Sequence, residues 1–436
     1  TRQITKHVAN ILNTFYNDTN IVYLNANLSS NYRDKYELFK YRGLNDLHHA
    51  HDAYLAGVLG LYQKDWLKKS TNFESLKELN KKLYNDKRYK DLKYGYVINS
   101  IDNDISTFNN ETGELIFDAD YFNDTVKNTL YQNDVLISKK TEIKTGKFFE
   151  ETIYKKDDVK SKFNIKNNLL PTIYGGYNKT QYSYMKLIKY QKKNKLVYAL
   201  IGIPILYESS KDKKIVIDNY IKQSFDIDSY IIEKPKIPFN TLIEYKKQKF
   251  LITGCGIASA ELINATEFIL SKSVQDKYKY LLNYVFNKKY PNMENYLKNS
   301  NINIENYNEF KSYCKKIFNE QAIDLFKYII EYISINCPLY DKIAKNLSLV
   351  QDSGEFYNLP FEVSIDEERK GLISKTIILN QLFVLLKCNS KNANLSKLSK
   401  TIKFSDRVGR LEKINVKTGT IITKSVTGLK VRRYEF

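Results

Sequence analysis

The sequence predicts an α/β unit followed by a mixed α+β unit. Three observations carry this. Near the start a β-branched and aromatic run, Ile21-Val22-Tyr23-Leu24, lies between segments of helical period. From Val274 to Asn336, and again from Ile377 to Leu386, apolar residues recur at helical spacing. Around these, Tyr182–Tyr207 and residues 401–436 alternate apolar and polar, the period of a strand. With 436 residues the chain exceeds the roughly 250–300 that one core fills, so two or three domains are expected.

Composition narrows the class of function. A hydrophobic content of 42% supports packed cores. The formal charge is +20, from 69 Lys+Arg against 49 Asp+Glu, with pI ≈ 9.3. Such a surplus favours a polyanionic partner, nucleic acid before membrane. Part of the lysine also follows from a Lys-, Asn-, Ile- and Tyr-rich composition, as an AT-rich genome gives. The four cysteines, Cys255, Cys314, Cys337 and Cys388, form no Cys-x-x-Cys pair, which argues for reduced thiols in a cytosol and against a zinc site. No apolar run approaches the ~20 residues that span a bilayer, so no membrane role is expected. The chain opens on Thr1 within a helical pattern and reads as a piece of a longer protein.

In order, Val8, Ile11, Leu12 and Phe15 mark a helix over Thr5–Asn17, and Ile21–Leu24 a short buried strand. A second helix is expected over Ser29–Phe39, ending near Tyr41-Arg42-Gly43. Asn45 or Asp46 then caps a third, with Leu47, Ala50, Tyr54, Val58 and Leu61 as its apolar stripe. Alanines at 50, 53 and 56 would let it approach a sheet. Helical spacing around Leu76, Leu79 and Leu83 precedes a polar turn region near 101–114.

The third helix holds the chemistry. Three of the four histidines, His48, His49 and His51, stand within four positions, followed by Asp52. On a helix, His49 and Asp52 share a face, as do His48 and Asp52. Imidazole is the usual base for deprotonating water near neutrality, and a carboxylate is the oxygen ligand Mg²⁺ prefers. Together they suit metal-assisted cleavage of a phosphodiester.

Several motifs occur in one order along the chain: Thr1–Val8, His48-His49-Ala50-His51-Asp52-Ala53-Tyr54-Leu55, Glu111-Thr112-Gly113-Glu114, Lys139-Lys140-Thr141-Glu142 with Thr145-Gly146, Tyr174-Gly175-Gly176-Tyr177, and Ser425-Val426-Thr427-Gly428-Leu429. In these the sequence resembles the C-terminal third of type II CRISPR-associated RNA-guided DNA endonucleases, the Cas-nine family, subtype II-A. The likeness is densest before residue 180 and thin from about 255 to 400.

The resemblance implies that residues 1–140 are the third segment of a split RuvC-like nuclease domain of RNase H type. Residues 141–250 would begin the domain that interacts with the protospacer-adjacent motif (PAM), and 251–436 would complete it. His49 then matches the general base and Asp52 a Mg²⁺ ligand of a two-metal site, with His48 and His51 flanking in structural roles. The implied partners are guide RNA, target DNA and the remaining N-terminal part of the same endonuclease, in a bacterial cytoplasm. The family's other metal-binding carboxylates lie in upstream segments, so the chain alone is expected not to cut DNA.

In the family, guide pairing reads most of the target and the protein reads the short motif beside it. Residues 145–152 fall on the loop that holds a target-strand phosphate through backbone N–H groups and a hydroxyl. Thr152 matches the hydroxyl position beside Glu151, and Glu150 stands where some members carry lysine. The competing reading of this stretch is an ordinary surface turn. Only nine arginines occur in the chain, and Arg407, Arg410, Arg432 and Arg433 fall in its last thirty residues. Counting back from Thr427-Gly428-Leu429, Arg407 matches the first guanine-reading arginine, whose fork fits guanine O6 and N7. The second falls on Gly409. Either Arg410 serves in its place or a single guanine is read there, and a basic turn touching phosphates alone is the competing reading. Strand alternation over 401–436, with a turn at Lys417-Thr418-Gly419, would present these side chains on a β-ribbon.

Two other functions fit the same residues: a nucleic-acid-binding module without catalysis, and a free-standing RuvC-like nuclease that completes its metal site in a homodimer.

Overall fold

A helix of 24 residues, Leu47–Ser70, organises the first part of the chain. Asn45 Oδ1 accepts from the Leu47 amide at 3.2 Å, satisfying one of the donors that a helix start leaves open. The structure is a computed structural model and describes residues 2–16, 18–19, 21–22, 24, 26–70, 107–108, 115–117, 119–131, 139–152, 164–165, 173, 176–245, 247–257, 260–298, 300, 302–387, 393–404, 410–411, 419–425 and 429–436. It divides into two units, Thr1–Val135 with Ile269–Asn283, and Leu136–Phe268 with Tyr284–Phe436.

In the first unit, α1 (Arg2–Phe15), α2 (Ala26–Lys35), α3 (Leu47–Ser70) and α4 (Ala119–Leu130) accompany a two-stranded antiparallel ribbon of β1 (Thr107–Phe108) and β2 (Leu115–Phe117). The core joins α2, α3 and α4 through Leu28, Tyr32, Leu55, Leu59, Val126 and Leu130. Its polar atoms are paired: Tyr32 donates to Asn123 Oδ1 at 2.9 Å, and Asn123 Nδ2 to Tyr36 at 3.0 Å. Residues 272–283, the first turns of the helix Lys272–Asn287, belong to this unit. There Tyr131 donates to Asp276 at 2.7 Å, Tyr41 to the Lys279 carbonyl at 3.0 Å, and Tyr280 to Glu37 at 2.9 Å.

Three expectations need correction in this unit. Ile21, Val22 and Leu24 are not in a strand: no described strand lies alongside to pair with them, and Val22 is exposed. The most buried residues of α3 are Leu47, Leu55 and Leu59; Tyr54 and Val58 of the expected stripe pack partly buried against the same core, and Leu61 is exposed. Ala53 and Ala56 are exposed and meet no sheet among the described residues. Helix α1 has the expected apolar stripe, yet Ile4, Val8, Ile11, Leu12 and Phe15 are exposed. The helical pattern around Leu76–Leu83 lies outside the described residues.

The second unit opens with β3 (Phe149–Thr152), β4 (Asn164–Ile165) and β5 (Gly176–Thr180), paired in the order β3-β5-β4. The expected hairpin follows as β6 (Tyr182–Lys192) and β7 (Lys195–Pro204), and β8 (Ile231–Ile237) flanks β6. Its turn residues Lys193 and Asn194 have φ of 48° and 56°, the primed geometry that fits hairpin twist. Helix α5 (Lys213–Phe225) seals one face with Ile217, Ile221 and Phe225.

A six-stranded antiparallel sheet comes next, in the order β12-β11-β10-β9-β13-β14. It is built from β9 (Leu242–Tyr245), β10 (Gln248–Cys255), β11 (Ala260–Asn264), β12 (Arg410–Leu411), β13 (Gly419–Lys424) and β14 (Val431–Glu435). Gly254 lies in β10 at a register shift, where a Cβ would strike the Glu261 side chain. The C-terminal ribbon is β13 with β14, and Ser425 bonds Lys430 across its turn, so the reversal lies at 425–430. Gly419 is the first residue of β13, not part of a turn.

Between β11 and β12 in sequence come α6 (Lys272–Asn287), α7 (Tyr307–Asn336), α8 (Asp341–Asp352) and α9 (Lys375–Leu386); α6, α7 and α9 fall in the stretches of expected helix, and α8 falls outside them. Asn306 caps α7, accepting from the Asn308 amide at 2.9 Å. Its buried stripe runs Phe310, Cys314, Phe318, Ala322, Phe326 and Ile330 at four-residue spacing, and Phe326 stacks on Phe356 at 3.9 Å. No helix of the described residues is long and apolar enough to cross a membrane.

Candidate functional site

Asp52 lies in the second turn of α3, and two cations from earlier in the chain hold it. Arg33 Nη2 meets Oδ1 at 3.0 Å, and Lys40 Nζ meets Oδ2. Arg33 comes from the last turn of α2 and also donates to the Leu38 carbonyl at 3.2 Å. Its side chain is 9% exposed, whereas that of Asp52 is 40% exposed. Burial raises the Asp52 pKa, but the hydrogen bond from Lys40 and the charges of Arg33 and Lys40 outweigh it and hold the carboxyl below its usual range. The carboxylate is therefore ionised at neutral pH, partly open to water, and already set to face positive charge. Those properties fit a hard divalent cation, which would replace Lys40 or share the carboxylate with it.

The histidines occupy different environments. His48 is 8% exposed, and its Nδ1 lies 2.9 Å from the Asn45 carbonyl. Burial draws its pKa down. His49 is exposed, and its ring lies 4.1 Å from that of His48. His51 turns toward a cleft lined by Arg33, Glu37, Tyr41, Asp276 and Lys279. Its Nε2 is buried without a partner among the described residues, and burial, then the Arg33 charge, push its pKa down to about 4. A base that weak is poorly matched to proton transfer near neutrality.

The carboxylate gathered with His49 is Asp46. Asp46, His48 and His49 each offer one ligand atom within 4.8 Å of the others, and Asp52 is not in that group. Sequence position alone assigns Asp46 only a capping role. Arg33 and Lys40 carry no motif that marks them as partners of Asp52; the only signal is that an arginine is scarce in so lysine-rich a chain.

In the second unit, Thr145–Phe148 is exposed and leads into β3. Gly146 has φ 116°, a backbone that a side chain would strain. The Gln181 amide bonds the Phe148 carbonyl at 2.8 Å, and Lys144 the Ser183 carbonyl at 2.9 Å, fixing both ends of the loop. Glu150 pairs with Lys179 at 3.7 Å. Glu151 and Thr152 are placed as strand backbone, opposite Tyr177 and Gly176.

Arg407 lies outside the described residues. Arg410 is described through its backbone, in β12 directly across from Glu261 of β11. The segment leading toward it is anchored by one carboxylate. Glu355 accepts from Ser399 Oγ at 2.7 Å, from the Lys400 amide at 2.6 Å and from Thr401 Oγ1 at 2.5 Å. Arg433, in β14, lies 3.6 Å from Glu244.

Two family models match the chain in succession. One is the Cas9 RuvC domain, over residues 2–142, and the other is the PAM-interacting domain of CRISPR-associated endonuclease Cas9, over residues 145–432. Among curated proteins, the CRISPR-associated endonuclease Cas9 of Listeria innocua is 32% identical over 252 residues, 50% of this chain and 18% of that protein. The one from Streptococcus mutans is 33% identical over 231 residues, 47% of this chain and 17% of that protein. The matched stretches thus span under a fifth of the length of these relatives.

Proposed function

This chain belongs to the Cas9 family, and from that premise we propose that it is the C-terminal portion of an RNA-guided DNA endonuclease. The observation that carries the reading is the succession of the two family matches along almost the whole chain. Residues 1–140 form the third segment of the RuvC-like nuclease domain, and 141–250 with 251–436 the PAM-interacting domain. Guide RNA, target DNA and the N-terminal part of the same endonuclease are its partners. A charge of +20 supports the first two, and the exposed apolar stripe of α1 supports the third.

In this reading Asp52 binds Mg²⁺ together with carboxylates supplied by the rest of the endonuclease. The metal would polarise the scissile phosphate of the strand not paired with the guide. His49, exposed near the start of α3, takes the proton of the attacking water. Arg33 and Lys40 keep Asp52 ionised and oriented. Arg407 reads a guanine of the PAM, with Arg410 as the second reader. Residues 145–152, with Glu151 and Thr152, hold a target-strand phosphate through backbone donors.

In this reading the site's other metal-binding carboxylates belong to the N-terminal part of the endonuclease, so the chain by itself does not cut DNA. Supplying the N-terminal part in trans, with guide RNA and Mg²⁺, restores cleavage of a plasmid bearing target and PAM. Mg²⁺-dependent nicking by the purified chain alone, lost on Asp52→Ala, would count against the proposal.

A further inference from the structure

We propose a second metal site in this chain, one that takes a borderline transition-metal dication such as Zn²⁺ or Co²⁺ on Asp46, His48 and His49. The three side chains bring one ligand atom each to within 4.8 Å of the others at the start of α3. Neighbouring residues on a helix point about 100° apart, yet the two imidazoles lie with centroids 4.1 Å apart at 39°.

His48 is oriented the way metal-binding imidazoles are. With its Nδ1–H donating to the Asn45 carbonyl at 2.9 Å, Nε2 carries the lone pair. His49 and Asp46 are more open, so small rotations close the set toward the ~2.0–2.1 Å bonds of a four-coordinate ion. The exposure of His49 leaves a remaining position for water.

The donor set decides which ion. Two imidazoles and one carboxylate suit zinc, cobalt and nickel, whereas Mg²⁺ selects oxygen. Asp52 offers only oxygen, and Arg33 and Lys40 already stand on it. The two sites are therefore chemically distinct although one helix carries both. A metal on His49 uses the lone pair that would accept the proton from water, so the bound dication silences the nuclease. That consequence rests on the base role proposed for His49; the binding does not.

The test is a Co²⁺ titration of the purified 436-residue chain, followed by visible absorption and calorimetry. One ion per chain is expected, displaced by Zn²⁺. His49→Gln and Asp46→Ser, the latter keeping a residue type that can cap a helix, should each weaken binding at least about tenfold, and Asp52→Asn should change it by less than about twofold. Binding unaffected by His49→Gln and Asp46→Ser, or lost equally in Asp52→Asn, overturns the site. In the complete guide-loaded endonuclease with excess Mg²⁺, Zn²⁺ should block cutting of the strand not paired with the guide. Zn²⁺ bound without that block leaves the site standing and removes His49 from proton transfer.

Discussion

Replacing Asp52 with Asn removes one charge from α3 and leaves Arg33 nearly buried without its counter-ion. Breaking a buried pair costs about 3–5 kcal/mol, and a fully exposed pair is worth about 0–1 kcal/mol. This pair lies between those limits, with side chains 9% and 40% exposed, and water reaches the carboxylate end. Asparagine still accepts one hydrogen bond from Arg33. The expected loss is about 2 kcal/mol, or a urea midpoint lower by about 1 M at a slope near 2 kcal/mol/M.

Urea unfolding of the purified chain, followed by far-UV circular dichroism, reads this loss. The pH dependence adds a signature. Burial alone would raise the Asp52 pKa, but Lys40 and Arg33 hold it below its unfolded value. The stabilisation is therefore complete above the unfolded value of about 3.9 and is lost as pH falls through the lower folded value. Wild type and Asp52→Asn should differ by a constant amount from pH 7 down to about 5 and converge in acid. Superimposed curves at pH 7, or a gap unchanged in acid, would refute the reasoning.

Two further outcomes are expected. Arg407→Ala in the complete endonuclease should cost about 1–3 kcal/mol at one PAM position and leave other positions unchanged, measured by cleavage of a PAM library; a uniform loss would mark a phosphate contact instead. Burial pushes the thiols of Cys255 and Cys337 up to about 12 and that of Cys314 to about 11, so these three should resist iodoacetamide at pH 8 in the native chain and react once urea unfolds it, as mass spectrometry of the labelled peptides would show.

What the sequence made legible was local. The start of α3 followed from Asn45-Asp46 ahead of an apolar pattern, the β6–β7 hairpin from its alternation, and α7 from apolar residues at four-residue spacing. What stayed hidden depended on distant partners. Ile21–Leu24 has strand composition, but composition cannot supply a neighbouring strand. The depth of burial along α3 is set by Leu28 and Tyr32 on α2 and Val126 and Leu130 on α4, which close over Leu55 and Leu59 and leave Tyr54 and Val58 only partly buried. Residues 269–283 belong with the first unit although they fall within the stretch matched to the PAM-interacting domain.

The site divides the same way. Helical spacing placed His49 and Asp52 one turn apart, and both lie on α3. The groups that set their environments were not readable from that spacing. Arg33 and Lys40 reach Asp52 from 19 and 12 residues away. Asp46, one position before the helix, lies beside His49 because the first turn of α3 closes on it, the His49 amide donating to the Asp46 carbonyl at 3.1 Å.

The most direct measurement is strand-resolved cleavage by the complete guide-loaded endonuclease carrying His49→Ala or Asp52→Ala, with Mg²⁺ and a target labelled on both strands. Each variant should still cut the strand paired with the guide and fail on the other, at least about a hundredfold below wild type. Both strands cut at the wild-type rate in either variant would contradict the assignment of this helix to the RuvC-like site.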